Sequence, residues 1–429
     1  MKIVVTGTGY VGLVTGVCLA ELGHTVHCVD TNKDKINMLN SGKCPFFEPG
    51  VEELIKENQR QDRLDFTCDF EKTYRDADVI FIAVETPELP GGSANLNYLF
   101  KAAEQIADNI EVNCLVVIKS TVPIGTADEL NRFMNNRLKH NVTIEIASNP
   151  EFLSQGSAVS DTLNAKRIIL GVESDIAEST LREIYREIHS PIVVTSRRSA
   201  EMIKYASNDF LALKISFVND IANLCEIVGA DIEDVTKGMS LDDRIGDKFL
   251  KPGIGYGGSC FPKDTKSLHW LAHQFGYELK TVKAAIEVNE KQRTKLIDKA
   301  REQFPSFKGL RVSILGVTFK PGTDDLREAP SIINVKILLD EGAELSVYDP
   351  VGMNNFRKHF PQVLFANSIE ESLQAADICF IFTDWDIFKE IKPVKFVNLM
   401  SHANVYDGRN IFSLLEMRSN GVNYISIGR

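Results

Sequence analysis

The sequence predicts an α/β protein built from two doubly wound domains joined by a long central helix. Three observations predict it. Short apolar strands alternate with amphipathic helices, which argues for a parallel sheet covered on both faces. The stretch 199–227 has neither Pro nor Gly and carries apolar residues at helical spacing. The last third of the chain repeats the order of the first. With 429 residues, 44% hydrophobic and 25% charged, the chain has the length for two or three domains and ample material for their cores.

In order along the chain, strands are expected over 3–6, 25–29, 79–83, 115–119 and 144–147, then the helix over 199–227 as a spine between domains. Residues 1–30 read strand, glycine turn, helix, strand, ending "ELGHTVHCVD"; residues 309–349 end "DEGAELSVYD" in the same order. Each half later enters a strand through an Asp, "DADVIFIAV" at 76–84 and "AADICFIFTD" at 375–384. The βαβ rhythm common to α/β folds accounts for part of this likeness.

The formal net charge of −11 excludes attraction of nucleic acid or anionic membrane by the overall field. An anionic ligand needs a local cluster of Lys, Arg and backbone N–H groups instead. The N-terminus reads as a strand rather than a signal peptide, and no apolar run reaches the roughly 18 residues of a membrane span. Eight scattered cysteines without a C-x-x-C pair indicate neither a metal site nor a disulfide framework, and point to reduced thiols in the cytoplasm.

Gly7-Thr8-Gly9-Tyr10-Val11-Gly12 follows a strand and opens a helix. Gly7 permits the tight turn, Gly9 the approach of a pyrophosphate, and Gly12 close helix–strand packing, with the helix N-terminus facing the phosphates. The second strand ends in Asp30, at the offset of a ribose-binding acid. Such an acid accepts from both ribose hydroxyls and repels a 2′-phosphate, so the predicted cofactor of this Rossmann-like half is NAD rather than NADP. Lys35 reads equally as a group at the cofactor edge or a solvated helix lysine. Thr86, in Glu85-Thr86-Pro87, and Thr121, in Ser120-Thr121-Val122-Pro123, sit where ligands bind in open α/β sheets. For Thr86, ligand contact and helix capping are not separable.

The segment Gly255-Tyr256-Gly257-Gly258-Ser259-Cys260-Phe261-Pro262-Lys263-Asp264 is the most informative. Cysteines are usually buried and inert. Here glycines bring the backbone close to a ligand, and charged residues follow the thiol. On the long helix, Lys204 and Asn208 share a face at i, i+4. Glu151, in Asn149-Pro150-Glu151-Phe152, puts a carboxylate on a Pro-fixed turn, and reads otherwise as an exposed loop acid.

Taken together, the chain resembles the UDP-glucose/GDP-mannose dehydrogenase family over essentially its whole length. The motifs are "GTGYVGLVTG", "FFEPG" (46–50), "KSTVPIGT" (119–126), "SNPEFL" (148–153), "KYASN" (204–208), "DDRIG" (242–246), "GYGGSCFPKD" (255–264) and "FKPGTDDLREAP" (319–330). The resemblance implies a four-electron oxidation of UDP-glucose to UDP-glucuronate with two NAD per sugar. It implies that Cys260 forms a thiohemiacetal and then a thioester. Lys204 and Asn208 are then expected to stabilise an oxyanion, and Asp264, and Glu151 with Thr121, to act as bases through water. Glu151, Phe152, Leu153, Lys204, Asn208, Arg244, Phe249, Leu250, Lys251, Gly253, Gly257 and Lys320 are expected to hold the UDP-sugar. Gly7, Gly9, Tyr10, Val11, Gly12, Asp30, Lys35, Thr86, Thr121, Lys263 and Arg327 are expected about the cofactor. Family members bring the counterpart of Arg244 from a neighbouring subunit, which implies a homodimer. The implied domains are an NAD-binding Rossmann domain (1–198), a helical dimerisation domain with the cysteine loop (199–300) and a nucleotide-sugar-binding domain (301–429).

One departure stands out. The family commonly has a second Glu four residues after the first, where this chain has Gln155, which orients a water without taking its proton. The neighbouring expectations are a GDP-mannose or UDP-N-acetylhexosamine substrate. A different class is a non-catalytic NAD-binding sensor, which has no use for Cys260, Lys204, Asn208 and Asp264 together.

Overall fold

The computed structural model describes residues 1–429. The chain divides into two compact units, Met1–Ser207 and Asn208–Arg429. In the first, β1 (Lys2–Thr6), β2 (Thr25–Val29), β3 (Leu64–Thr67), β4 (Val79–Ile82), β5 (Cys114–Ile118), β6 (Ile144–Ser148), β7 (Ile168–Gly171) and β8 (Ile192–Thr195) form one sheet. Its order is β3-β2-β1-β4-β5-β6-β7-β8. The period of two along β1 separates its faces: Ile3 and Val5 enter one core, Val4 the opposite one.

The five strands expected from the sequence run parallel, and the one antiparallel pairing lies beyond them. Strands β1 to β6 are parallel, but β7 meets β6 antiparallel at Ser148 and Gly171, and β8 then runs parallel to β7. The connection 149–167 contains only the short helix Ala158–Leu163, not the long crossover helix of a parallel neighbour.

In the second unit, β9 (Arg311–Leu315), β10 (Glu344–Tyr348), β11 (Leu364–Phe365), β12 (Ile378–Ile381), β13 (Asn404–Asp407) and β14 (Asn423–Ile425) form a parallel sheet in the order β11-β10-β9-β12-β13-β14. The inner order of the first sheet is thus repeated, down to single bonds. Lys2 N–H donates to Asp78 Oδ2 at 2.8 Å, and Arg311 N–H to Asp377 Oδ2 at 2.9 Å. These are the strand-entry acids seen in both halves of the sequence.

The long helix runs Arg197–Val228. Its buried positions recur every three or four residues, including Ala200, Lys204, Asn208, Ala212, Ser216 and Asn219. Phe210, Phe217 and Leu224 are exposed at seven-residue spacing. No helix is long and apolar enough to cross a membrane.

Candidate active site

The glycine turn is built as the spacing predicts. Gly7 has φ +95°, and a Cβ there would lie 2.8 Å from the Ala83 carbonyl oxygen. A Cβ on Gly12 would lie 1.9 Å from the Gly7 carbonyl oxygen. The helix Tyr10–Glu21 starts directly after Gly9, which leaves its first N–H groups at the turn. Val11 lies in the first turn. The Tyr10 phenol is spoken for, because it donates to Glu48. Glu48 also accepts from Gly156 N–H (2.6 Å) and Ala158 N–H (2.8 Å). That is the work of the "FFEPG" motif, which had no assigned role.

Asp30 ends β2 on the wall of a cleft lined by Gly7, Gly9, Lys35, Tyr74, Glu85 and Lys101. One carboxylate oxygen accepts from Thr8 N–H (2.9 Å) and Thr8 Oγ1 (2.7 Å), the other from Asn32 N–H (2.9 Å). Burial opposes its ionisation, but the Thr8 hydroxyl, the two N–H groups and Lys35 together hold the carboxyl below its ordinary range. Lys35 Nζ lies 3.1 Å from Asp30, so it is no bystander on a solvated helix. The cleft fits an adenosine ribose: an ionised acid on its wall and no Cβ at Gly7 or Gly9. Tyr74 and Lys101 escaped the sequence reading, since only the third dimension brings them to this turn. Thr86 caps no helix; its hydroxyl donates to the Thr121 carbonyl at 2.9 Å, joining the loops after β4 and β5.

Lys204 is fully surrounded. Its Nζ donates to the Glu151 carbonyl (2.7 Å) and to Glu151 Oε1 (2.8 Å), and lies 5.4 Å from the Phe152 ring centroid. Glu151 Oε2 accepts from Leu153 N–H at 2.6 Å. Glu151 is therefore a buried acid rather than an exposed loop residue. Thr121 and Lys204 line one small cavity with Pro150 and Glu201. The Glu201 carboxylate accepts from Gly125 and Ala127 N–H and so fixes the loop that carries Thr121. Behind Glu151, Asn149 Oδ1 accepts from Lys119 Nζ (2.9 Å) and Tyr185 OH (2.5 Å), while its Nδ2 donates to the Ile169 carbonyl (2.8 Å). These bonds knot the ends of β5, β6 and β7. Burial pulls the Lys119 ammonium down to about 8, with Glu151 opposing.

The second group of residues gathers at the head of the helix Phe261–Gln274, whose N-cap is Cys260. Asp264 stands in its first turn, buried, with Asn208 Nδ2 on one oxygen (2.7 Å) and Lys263 Nζ on the other (2.5 Å). Lys263 is thus placed on Asp264. Cys260 is partly exposed, unlike the buried Cys18, Cys28, Cys114, Cys225 and Cys379. Burial pushes the Cys18 thiol up to about 12 and those of Cys28, Cys114 and Cys379 higher still. The glycines before Cys260 are required by close approach: a Cβ on Gly257 would sit 2.3 Å from the Glu328 carbonyl oxygen. Gly258 N–H donates to the Arg327 carbonyl at 2.8 Å, which docks the cysteine loop on the "FKPGTDDLREAP" segment.

The remaining residues are held apart from these groups or by other partners. Gly253 N–H donates to Asn219 and its carbonyl accepts from Gln292, which pins the loop Phe249-Leu250-Lys251-Pro252-Gly253. Leu250 is buried, while Phe249 and Lys251 are exposed. Lys320 Nζ lies 5.8 Å from the Phe319 ring centroid, and Arg327 pairs with Asp325. Arg244 is held by a near neighbour: its side chain is 89% exposed and bonds to Asp242.

Comparison with known proteins supplies what geometry alone does not. The chain matches the NAD binding domain of the UDP-glucose/GDP-mannose dehydrogenase family over residues 1–189, its central domain over 198–291 and its UDP binding domain over 313–414. It is 46% identical to a UDP-glucose 6-dehydrogenase of Bacillus subtilis, covering 100% of this chain and 98% of that one. It is 42% identical to a UDP-glucose 6-dehydrogenase of Rhizobium meliloti, with both chains fully covered. A solved UDP-glucose dehydrogenase from Pyrobaculum islandicum superposes with TM-score 0.92 at 35% identity, over 99% of this chain and 96% of that one. With a NAD-binding half, a cysteine at a helix head and full-length agreement in sequence and fold, the chain belongs to the UDP-glucose/GDP-mannose dehydrogenase family.

Proposed function

We propose that this chain oxidises the C6 alcohol of UDP-glucose to the carboxylate of UDP-glucuronate, with two NAD reduced per sugar. One observation carries the reading: Cys260 heads a helix whose first turn holds Asp264, itself oriented by Asn208 and Lys263. A partly exposed thiol beside a fixed, buried carboxylate suits covalent capture of an aldehyde followed by attack of water. NAD, when bound at the glycine turn with its ribose on Asp30, accepts the hydride at each oxidation.

The chain's own residues do the rest. Cys260 Sγ adds to the carbon of the C6 aldehyde as its C=O π bond opens, and the proton of the thiol ends on the C6 oxygen, giving a thiohemiacetal. After the second oxidation the carbon is a thioester, and water cleaves its C–S bond to release the acid and the thiol. Lys204 and Asn208 donate to the oxygen on C6 as charge develops there. Asp264 takes the proton of the attacking water, and at the first oxidation Glu151, with Thr121, takes the proton of the C6 hydroxyl through water. The loop 249–253, Phe152, Leu153, Gly257 and Lys320 bind the UDP-sugar, and Lys263 and Arg327 serve the cofactor.

UDP-glucose is favoured over other nucleotide sugars by the names of the relatives that match end to end. The residue ranges 1–198, 199–300 and 301–429 serve as cofactor, dimerisation and nucleotide-sugar domains. The reading includes a homodimer, supported by the exposed apolar stripe Phe210, Phe217 and Leu224, continued by Ile227 and Val228. Arg244, exposed on its own chain, is then supplied to the site of the second copy. Eight cysteines outside any disulfide fit a reducing cytoplasm.

The test is NADH yield per sugar. Wild-type enzyme should form two NADH per UDP-glucose and far less from GDP-mannose or UDP-N-acetylglucosamine. Cys260→Ala should make no acid, while Cys260→Ser should give a sub-stoichiometric burst and a trapped ester, detected by mass. Full turnover by Cys260→Ala would overturn the covalent route.

A further inference from the structure

The long helix carries one buried acid that no donor serves and that this chemistry does not use. Asp209 follows Asn208, is 3% exposed, and neither of its carboxylate oxygens has a hydrogen-bond donor. An ionised carboxylate in that position has lost its water and gained nothing in return, so the neutral form is favoured.

The charged and titratable groups that face it explain which of two neighbouring acids keeps a proton. Asp264 and Lys263 face Asp209 from the helix Phe261–Gln274, and Tyr256 faces it from the loop before that helix, with Glu290 of the helix Lys280–Gln292 acting on the same phenol. Lys263 is the cation among them, and it is bonded to Asp264. The Asn208 amide is bonded to Asp264 as well. Asp264 also stands in the first turn of its helix, where the dipole favours negative charge. Two carboxyls facing one ammonium do not both ionise cheaply, and here every donor serves Asp264.

We propose that Asp209 is a positioning residue for Asp264: a protonated carboxyl that leaves Lys263 and Asn208 to its neighbour, and competes for them once it ionises. Ionisation moves one proton from the Asp209 carboxyl to solvent base, and no covalent bond between heavy atoms changes. The Lys263 ammonium is then shared between two carboxylates, and Asp264 loses its fixed orientation. The proposal rests on the reading of Asp264 as the base for water. Burial first, and then the charge of Asp264, push the Asp209 carboxyl up to about 8, with Lys263 opposing, so the change falls just above neutrality.

Asp209→Asn tests it on the intact enzyme in two arms. The first needs no substrate. A folded-state pKa above the unfolded value stabilises fully below the unfolded value, and that stabilisation is lost as pH rises through the folded one. The melting temperature of Asp209→Asn relative to wild type should therefore climb steadily from pH 5 to pH 8 and level off above. In the second arm, wild-type kcat should fall about tenfold per pH unit on the alkaline side. The variant should match wild type within about twofold at pH 7, and its alkaline limb should lie at least about one pH unit higher. A melting difference independent of pH, or an unmoved alkaline limb, overturns the proposal. Wild-type enzyme that makes no NADH from UDP-glucose would overturn the functional reading instead, and the melting arm would still decide the protonation of Asp209. If Asp209→Asn folds poorly, Asp209→Ser, smaller and equally unable to ionise, is read the same way.

Discussion

The two sheets share an inner strand order, and each ends its second strand in an acid, Asp30 after β2 and Asp349 after β10. The fates of these acids differ. Asp30 is 12% exposed in its side chain and lies on a cleft beside Lys35. Asp349 is 0% exposed and is used up internally. One of its oxygens accepts from Val317 N–H (2.8 Å) and Trp385 Nε1 (3.1 Å), the other from Val351 N–H (3.0 Å) and Gly352 N–H (2.7 Å). The turn differs too. After Gly9 a helix begins at once, whereas after Gly316 a loop runs on to the helix Pro330–Asp340. The same topology thus makes a dinucleotide site in one half and a sealed corner in the other. Both acids have internal donors; what separates them is that Asp349 is closed off from the surface while Asp30 keeps an open edge on its cleft.

That contrast can be broken by substitution. The largest effect should come from Asp349→Ala, which strands several buried N–H groups. We expect a loss of about 3–5 kcal/mol in urea denaturation with NAD affinity unchanged. Weakened NAD binding without loss of stability would show that the corner is not sealed. Asp30→Ala should do the reverse. NAD affinity should fall by about 1.5–3 kcal/mol in a fluorescence titration, preference over NADP should narrow, and stability should move little. The smallest effect is expected for Lys35→Ala. Its ion pair with Asp30 is partly exposed, so NAD binding should change by less than about 1 kcal/mol. An effect as large as that of Asp30→Ala would make Lys35 a direct ligand of the cofactor.

Much of this was legible in the sequence because it is written locally. The glycine turn, Asp30, the long helix and the glycine-bracketed Cys260 each depend on spacings within a few residues. The strand-entry acids Asp78 and Asp377 could be seen as a repeat, although their bonds to Lys2 and Arg311 could not. What was hidden depends on distant pairing. Glu48 finds Tyr10 and the turn at Gly156; Asn149 is held by Lys119 and Tyr185; β7 turns antiparallel because its connection carries only a short helix. No local period announces such partners. Asp209 was passed over because a lone Asp on a helix usually reads as a solvated face, and only its burial beside Asp264 gives it meaning.

The helix Arg197–Val228 has one more consequence. Lys204 and Asn208 lie four residues apart on it, with no Pro or Gly between them. Their separation along the axis, about 6 Å, is therefore dictated by backbone pitch rather than by side-chain packing. The helix acts as a ruler for the two donors, and its graduations are peptide bonds. Insertion of a single residue between them would rotate one donor by about 100° relative to the other and take it off the shared face. A register this strict tolerates change in side-chain size around it far better than any change in chain length.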